Sequence, residues 1–295
     1  MRVLIAFFAF AAAATASGGD WSWHEAMTPH FEVKHEEAFM PPGFTMGLEK
    51  IHSRLRLDLA MFSPWMSKER LKLYVYATKD SYVKSEFQPP DWSNGIALYS
   101  QRTVLVYEQE RKEKLLQIIA HETTHLLFEG YWGEVGKMPP QWLNEGLAML
   151  EETDADHPER GDWFGAMVNM KKVMPLDELF ELKPTQDLAQ KGDKEAVDVF
   201  YTQSYALVYF LFRTHTKLQF KNFVSELRDG APIEAALWKT YRYHSLADFD
   251  TAWRNWLRDP SLQHKLAQQP ASASFDFEEK QHFGDIKGFK PLDPH

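Results

Sequence analysis

His121-Glu122-Thr123-Thr124-His125 decides how this chain is read. Two imidazoles four residues apart stand one turn apart on the same face of an α-helix, where both can reach a single metal ion. Glu122 falls on an adjacent face, so it avoids the ion yet reaches a water bound to it, the position a general base needs. Around the histidines, Leu115, Ile118, Ile119, Leu126 and Leu127 predict a mostly buried helix over 114–128. Twenty residues beyond His125, Trp142-Leu143-Asn144-Glu145-Gly146-Leu147-Ala148 opens a second helix, expected over 141–151. Glu145 offers a carboxylate as third ligand. Two histidines and a glutamate suit Zn2+ and leave a fourth position for water, which marks a catalytic rather than a structural site. The ion brings the pKa of such a water toward about 7, so a neighbouring carboxylate can deprotonate it near neutral pH.

These residues resemble the gluzincin metallopeptidases, in which H-E-x-x-H is followed by a helix bearing an N-E-G-type ligand motif. Within them the chain looks closest to the peptidase MA-like group and shares its ligand pattern with the M1 aminopeptidases. The resemblance implies zinc held by His121, His125 and Glu145, with Glu122 as base and proton shuttle. It also implies an α+β fold of the thermolysin and M1 kind, with a mixed sheet lobe over 17–110, a mainly helical lobe over 111–267 and zinc in the cleft. Tyr201-Thr202-Gln203-Ser204, followed by an apolar helix, resembles the M1 pattern Y-E-K-G and implies that Tyr201 donates to the oxyanion. Tyr201, Tyr205, Val208 and Phe212 also form a helical core stripe, and Tyr205 and His215 are the alternative donors. Gly95-Ile96-Ala97-Leu98 is similar to the edge strand on which these peptidases lay substrate through backbone pairing.

Two departures from the family pattern carry information. The glutamate-containing motif with which M1 enzymes capture a free amine is absent, because Gly95 is followed by Ile-Ala-Leu, so an endopeptidase is expected rather than an aminopeptidase. Met149 stands where thermolysin-like enzymes carry an aspartate that supports the first histidine, leaving Glu151 or Glu152 to take that part.

Composition bounds the rest. With 295 residues, 44% of them hydrophobic, the chain can bury a large core and is not globally disordered. A formal net charge of -9 gives no electrostatic basis for binding nucleic acid or an anionic membrane surface. The absence of cysteine excludes disulfides, thiolate zinc sites and cysteine nucleophiles. Arg2, the apolar run Val3 to Ala14 and Ala14-Thr15-Ala16 read as a secretion signal over 1–16, giving an exported, periplasmic or secreted protein. That run falls short of the roughly 20 apolar residues that a spanning helix requires, so no membrane span is expected in the mature chain.

Further elements follow from periodicity and turn residues. Strands are expected at Phe31–Lys34 and Leu71–Ala77, with a β-rich stretch over Ile96–Tyr107. Helices are expected over 46–62, 163–173, 176–182, 194–213, 217–228 and 247–257, with a polar loop over 153–161. Residues 268–295 lack core periodicity and read as a tail. The function expected is hydrolysis of peptide bonds in a peptide or protein substrate. The alternatives are an exported scaffold that binds zinc without turnover and a zinc hydrolase acting on a non-peptide substrate; Glu122 argues against the scaffold, which has no use for a general base.

Overall fold

The computed structural model describes residues 23–37, 40–152, 162–183 and 193–267. The expected signal over 1–16, the polar loop over 153–161 and the tail over 268–295 lie outside them. Among the described residues the fold is mixed α/β: a five-stranded sheet in the first third and an almost wholly helical remainder.

Strand β1 (His24–Met27) pairs antiparallel with β2 (Phe31–His35), which is followed by helix α1 (Phe44–Leu59) and strand β3 (Leu71–Tyr76). A short helix α2 (Lys79–Val83), closed by a Thr78–Ser81 capping box, leads to β4 (Gly95–Leu98) and β5 (Thr103–Tyr107). The sheet order is β1-β2-β3-β5-β4, with β2, β3 and β5 parallel and β4 antiparallel on the outer edge of β5. The β-rich stretch 96–107 is therefore two strands and not one. Tyr99–Gln101 form a 3-10 turn and Arg102 adopts φ 53°, reversing the chain so that Gly95 faces Val106 and Leu98 faces Thr103.

Alternation along the strands gives the sheet two different faces. Leu71, Leu73 and Val75 of β3, with Val104 and Val106 of β5, pack into the main core beneath the helices. Tyr76 and Leu105 point the other way, into a smaller cluster with Tyr82 that Trp23, Tyr74, Phe87, Ile96 and Leu98 flank.

Helix α3 (Lys112–Gly133) runs for 22 residues, or about 33 Å at 1.5 Å per residue, and joins the two halves of the molecule. It lies against β4, β5 and α1 on one side and α4 (Gln141–Glu152) on the other. Then follow α5 (Asp162–Val168), α6 (Leu176–Glu181), the long buried α7 (Lys194–Arg213), α8 (Lys217–Arg228), α9 (Ile233–Tyr241), α10 (Leu246–Leu257) and α11 (Pro260–Ala267). Helix α5 ends five residues short of its expected end at 173. The amide and carboxamide oxygen of Gln203 instead bond the backbone O and N of Met174 at 2.9 and 2.7 Å, satisfying that chain in a non-helical form. No helix among the described residues is long and apolar enough to cross a membrane.

Where α1, α4, α7 and α8 meet, the core is ionic. Arg213 Nη2 lies 2.6 Å from Asp58 Oδ2 and 3.3 Å from Glu151 Oε1, and Lys217 Nζ lies 2.5 Å from Asp58 Oδ1. The Asp58 and Glu151 side chains are 1% and 0% exposed. Burial, reinforced by the Asp58 carboxylate, pushes Glu151 up to about 8, which favours its protonated form beside that carboxylate. Burial also works to raise Asp58, but Arg213 and Lys217 outweigh it and hold that group below its usual value.

A raised folded-state pKa means that the stability linked to Glu151 is complete below its ordinary value of 4.5 and is lost as pH climbs through about 8. Asp58 has the opposite sign and acts only in acid. Glu151→Gln, which stays neutral at every pH, is therefore expected to melt close to wild type near about pH 5 and above it near about pH 9, in the presence of chelator. Thermal melts at both pH values check this, and a deficit that is the same at both contradicts the sign.

Candidate metal centre

Three of the residues singled out from the sequence converge. His121 Nε2 and His125 Nε2, on successive turns of α3, are 3.0 Å apart. Glu145 Oε2, from the first turns of α4, lies 3.7 Å from each. Among the described residues this is the one His/Cys/Asp/Glu group with ligand atoms close enough to share an ion, all within 4.8 Å of one another. Two ligands bound at 2.0–2.1 Å and subtending a tetrahedral angle stand about 3.3 Å apart, so the triangle fits zinc after shifts of a few tenths of an ångström.

The remaining nitrogens support the same use. His121 Nδ1 donates to Glu152 Oε1 at 2.7 Å, which fixes the tautomer and leaves Nε2 with its lone pair aimed at the centre. Glu152 Oε2 accepts in turn from the Trp163 indole of α5 at 3.3 Å. Of the two glutamates considered for this part, Glu152 performs it. Glu151, turned by about 100° on the helix, points into the Asp58–Arg213 cluster. On the other histidine, Glu129 Oε1 stands 3.9 Å from the buried Nδ1 of His125 while accepting from Asn144 Nδ2 at 2.8 Å. Burial lowers the His125 pKa, yet the carboxylates of Glu145, Glu129 and Glu122 outweigh it and hold the imidazole up at about 8. The pocket's field favours positive charge, as a cation site requires.

Glu122 lies where β4 approaches α3. A Cβ added to Gly95 would sit 2.8 Å from Glu122 Cγ and 3.1 Å from both Ile118 Cγ2 and the Leu105 carbonyl oxygen. Only glycine lets the edge strand pass this close to the carboxylate. Burial raises the Glu122 pKa, with His121 and His125 opposing, so this group holds a proton more readily than a surface glutamate.

Tyr201, on α7, is buried and brought within electrostatic reach of Glu145. Burial, with that carboxylate adding to it, raises its hydroxyl well above the ordinary value, so it remains a donor. The two alternatives lie further along the chain, and Tyr205 stays near the site, its ring 6.4 Å from that of Trp163. Tyr205, one turn on, is fully buried with its ring 5.9 Å from that of Tyr209. His215 follows Tyr201 by 14 residues, about 21 Å along a helix axis, and nests between Phe210 and Tyr241 at ring separations of 5.2 and 4.8 Å.

Helix α4 reaches this position through Gly146. A Cβ there would meet the Ser204 carbonyl oxygen of α7 at 2.4 Å, so the two helices touch backbone to backbone and carry Glu145 alongside Tyr201. Three supporting residues escaped the reading of the sequence. Glu129 had a usable signal, standing four residues after His125 on the same face of α3; Asn144 was quoted within its motif without a role; Trp163 gave no local sign.

A family model described as the peptidase MA superfamily matches residues 57–259, more than half of the chain. The chain belongs to the peptidase MA superfamily. The match spans β3 to α10 and includes every residue of the His-His-Glu cluster. No curated protein matches the chain. Peptidase MA membership points to a metal-dependent peptidase, which accords with a cluster able to hold a metal ion.

Gly146→Ala is expected to destabilise the fold by about 1–3 kcal/mol, because the obstructing atom is backbone and cannot swing aside. It should also weaken metal binding by displacing Glu145. Denaturant melts and a chelator competition measure the two effects, and an alanine variant unchanged in both contradicts this packing.

Proposed function

We propose that this peptidase MA chain is a zinc-dependent endopeptidase, with zinc held by His121, His125 and Glu145 in the cleft between the sheet and the helices. The observation that carries the reading is the convergence of His121 Nε2, His125 Nε2 and Glu145 Oε2 beside a raised-pKa Glu122 and the outermost strand, β4, among the described residues. The metal, when bound, polarises the scissile carbonyl and makes water acidic enough to react near neutral pH.

The chain's own residues supply the remaining functions. Glu122 takes the proton from the attacking water and passes it to the leaving amine, a two-way task that suits a carboxylate whose pKa burial has lifted. Tyr201 donates its hydroxyl hydrogen to the carbonyl oxygen as negative charge grows there. Glu152 keeps His121 oriented. Strand β4 has no strand on its outer side among the described residues, so an extended peptide can pair with it and cross Glu122 at Gly95. The residues after Gly95 offer no carboxylate to hold a free amine, which favours cleavage within a chain. The Arg2-led apolar N-terminal stretch supports an exported enzyme.

The full chain and Glu122→Gln are to be compared for bound metal by elemental analysis and for cleavage of an unbiased peptide library. One zinc in each protein is expected, with turnover reduced about 10²–10⁴-fold in the variant, as for loss of a general base. Zinc in both proteins with cleavage in neither removes the peptidase reading, and no bound metal in either removes the site. Tyr201→Phe, which keeps the ring and loses the hydroxyl, is expected to leave zinc content unchanged and lower kcat about 10²–10³-fold. Full activity in that variant would take Tyr201 out of the reaction.

A further inference from the structure

The buried ionic cluster is costly to assemble, and replacing such clusters by apolar side chains commonly leaves stability unchanged or improves it. Its position gives it a different use. Arg54, on α1, donates from Nη2 to the backbone carbonyl of Glu151, and its Nε lies 3.8 Å from Glu151 Oε2. Arg213 holds Oε1 of the same carboxyl at 3.3 Å and is anchored on Asp58, itself four residues after Arg54 on α1. The last turn of α4 is thus clamped by its side chain and by one of the end carbonyls that a helix leaves without an internal partner.

The next residue is Glu152. Its Oε1 accepts from His121 Nδ1 at 2.7 Å, and an N–H···O contact weakens beyond about 3.2 Å, so the tolerance for movement of this turn is about 0.5 Å. The α4 terminus therefore meets the metal centre on one side and the ionic cluster on the other, through adjacent residues.

We propose that Arg54 and Glu151 are positioning residues of the metal centre: by clamping the last turn of α4 they hold Glu152 against His121 and so tune metal affinity from outside the ligand set. The inference rests on the zinc site proposed above. Neither residue is a ligand or a catalytic residue; each acts through Glu152. A cluster that served stability alone would be indifferent to whether residue 152 can accept a hydrogen bond.

The test measures zinc affinity of the full chain by competition with a chromophoric chelator, alongside the melting temperature of chelator-stripped protein. Glu152→Leu, which has no acceptor for His121 Nδ1, is expected to weaken zinc binding about 10–100-fold, the usual cost of losing the outer partner of a ligating histidine. Arg54→Met, which keeps an unbranched stem of similar length, is expected to weaken it about tenfold. Added to Glu152→Leu, it is expected to have no further effect, since coupled residues are non-additive. Glu151→Gln serves as a milder second variant should Arg54→Met not fold, with a smaller loss that vanishes in the same background. Unchanged zinc affinity in a folded Arg54→Met or Glu151→Gln chain, or the same loss with and without Glu152, overturns the inference and leaves the zinc site standing. A wild-type chain that binds no zinc overturns the site itself, and this inference with it.

Discussion

The backbone contact between α4 and α7 at Gly146 and Ser204 is the constraint from which the centre follows. Helix α3 can present two imidazoles by its own periodicity, but it cannot present the proposed third ligand, because Glu145 comes from another helix. For that carboxylate to stand 3.7 Å from both Nε2 atoms, α4 must lie deep in the helical half. It does so because a residue without a Cβ faces the Ser204 carbonyl oxygen. The same approach carries Tyr201 near Glu145, so ligand and proposed oxyanion donor are set by one packing contact. The glycine beside the ligand is then a requirement of helix–helix distance, with no positive φ involved.

A second close approach mirrors it on the sheet side. Gly95 lets β4 run against Glu122, so the edge strand, the proposed base and the histidines share one short stretch of α3. One glycine removes the side chain that would hold the sheet edge away from α3, and the other the side chain that would hold α4 away from α7. The polar groups trapped there are backed by others: Glu152 by Trp163 and Glu129 by Asn144. Such outer contacts settle which nitrogen of His121 carries a proton before any ion arrives.

Much of this was legible because it is local. The helices α3, α4, α7 and α8 declare themselves through apolar spacing sustained over three turns or more, and the His-Glu-His triplet lies on a single helix. Elements with weak local signals were missed. Strand β1 is almost wholly exposed and lacks alternation, α9 is nine residues following Gly230-Ala231-Pro232, and α11 is short, with half of its eight residues polar. The division of 96–107 into two strands depends on a left-handed Arg102, a residue type that gives no warning of it. The choice between Glu151 and Glu152 depended on which way each side of α4 faces. That is fixed by Arg54, Arg213 and Trp163, residues 97, 62 and 11 positions away in the chain.

The outer edge of β4 has a consequence for handling the protein. Sheets with open edges ordinarily discourage like from joining like with charges, prolines or bulges. The opposite edge follows that habit, since β1 carries Glu25, paired with Lys34 at 3.6 Å. Strand β4 reads Gly-Ile-Ala-Leu and bears no charge at all. Under the proposed reading, an edge that no described strand covers is equally a template for another copy of itself, so crowding is expected to favour self-association there and an extended peptide bound along the edge to oppose it.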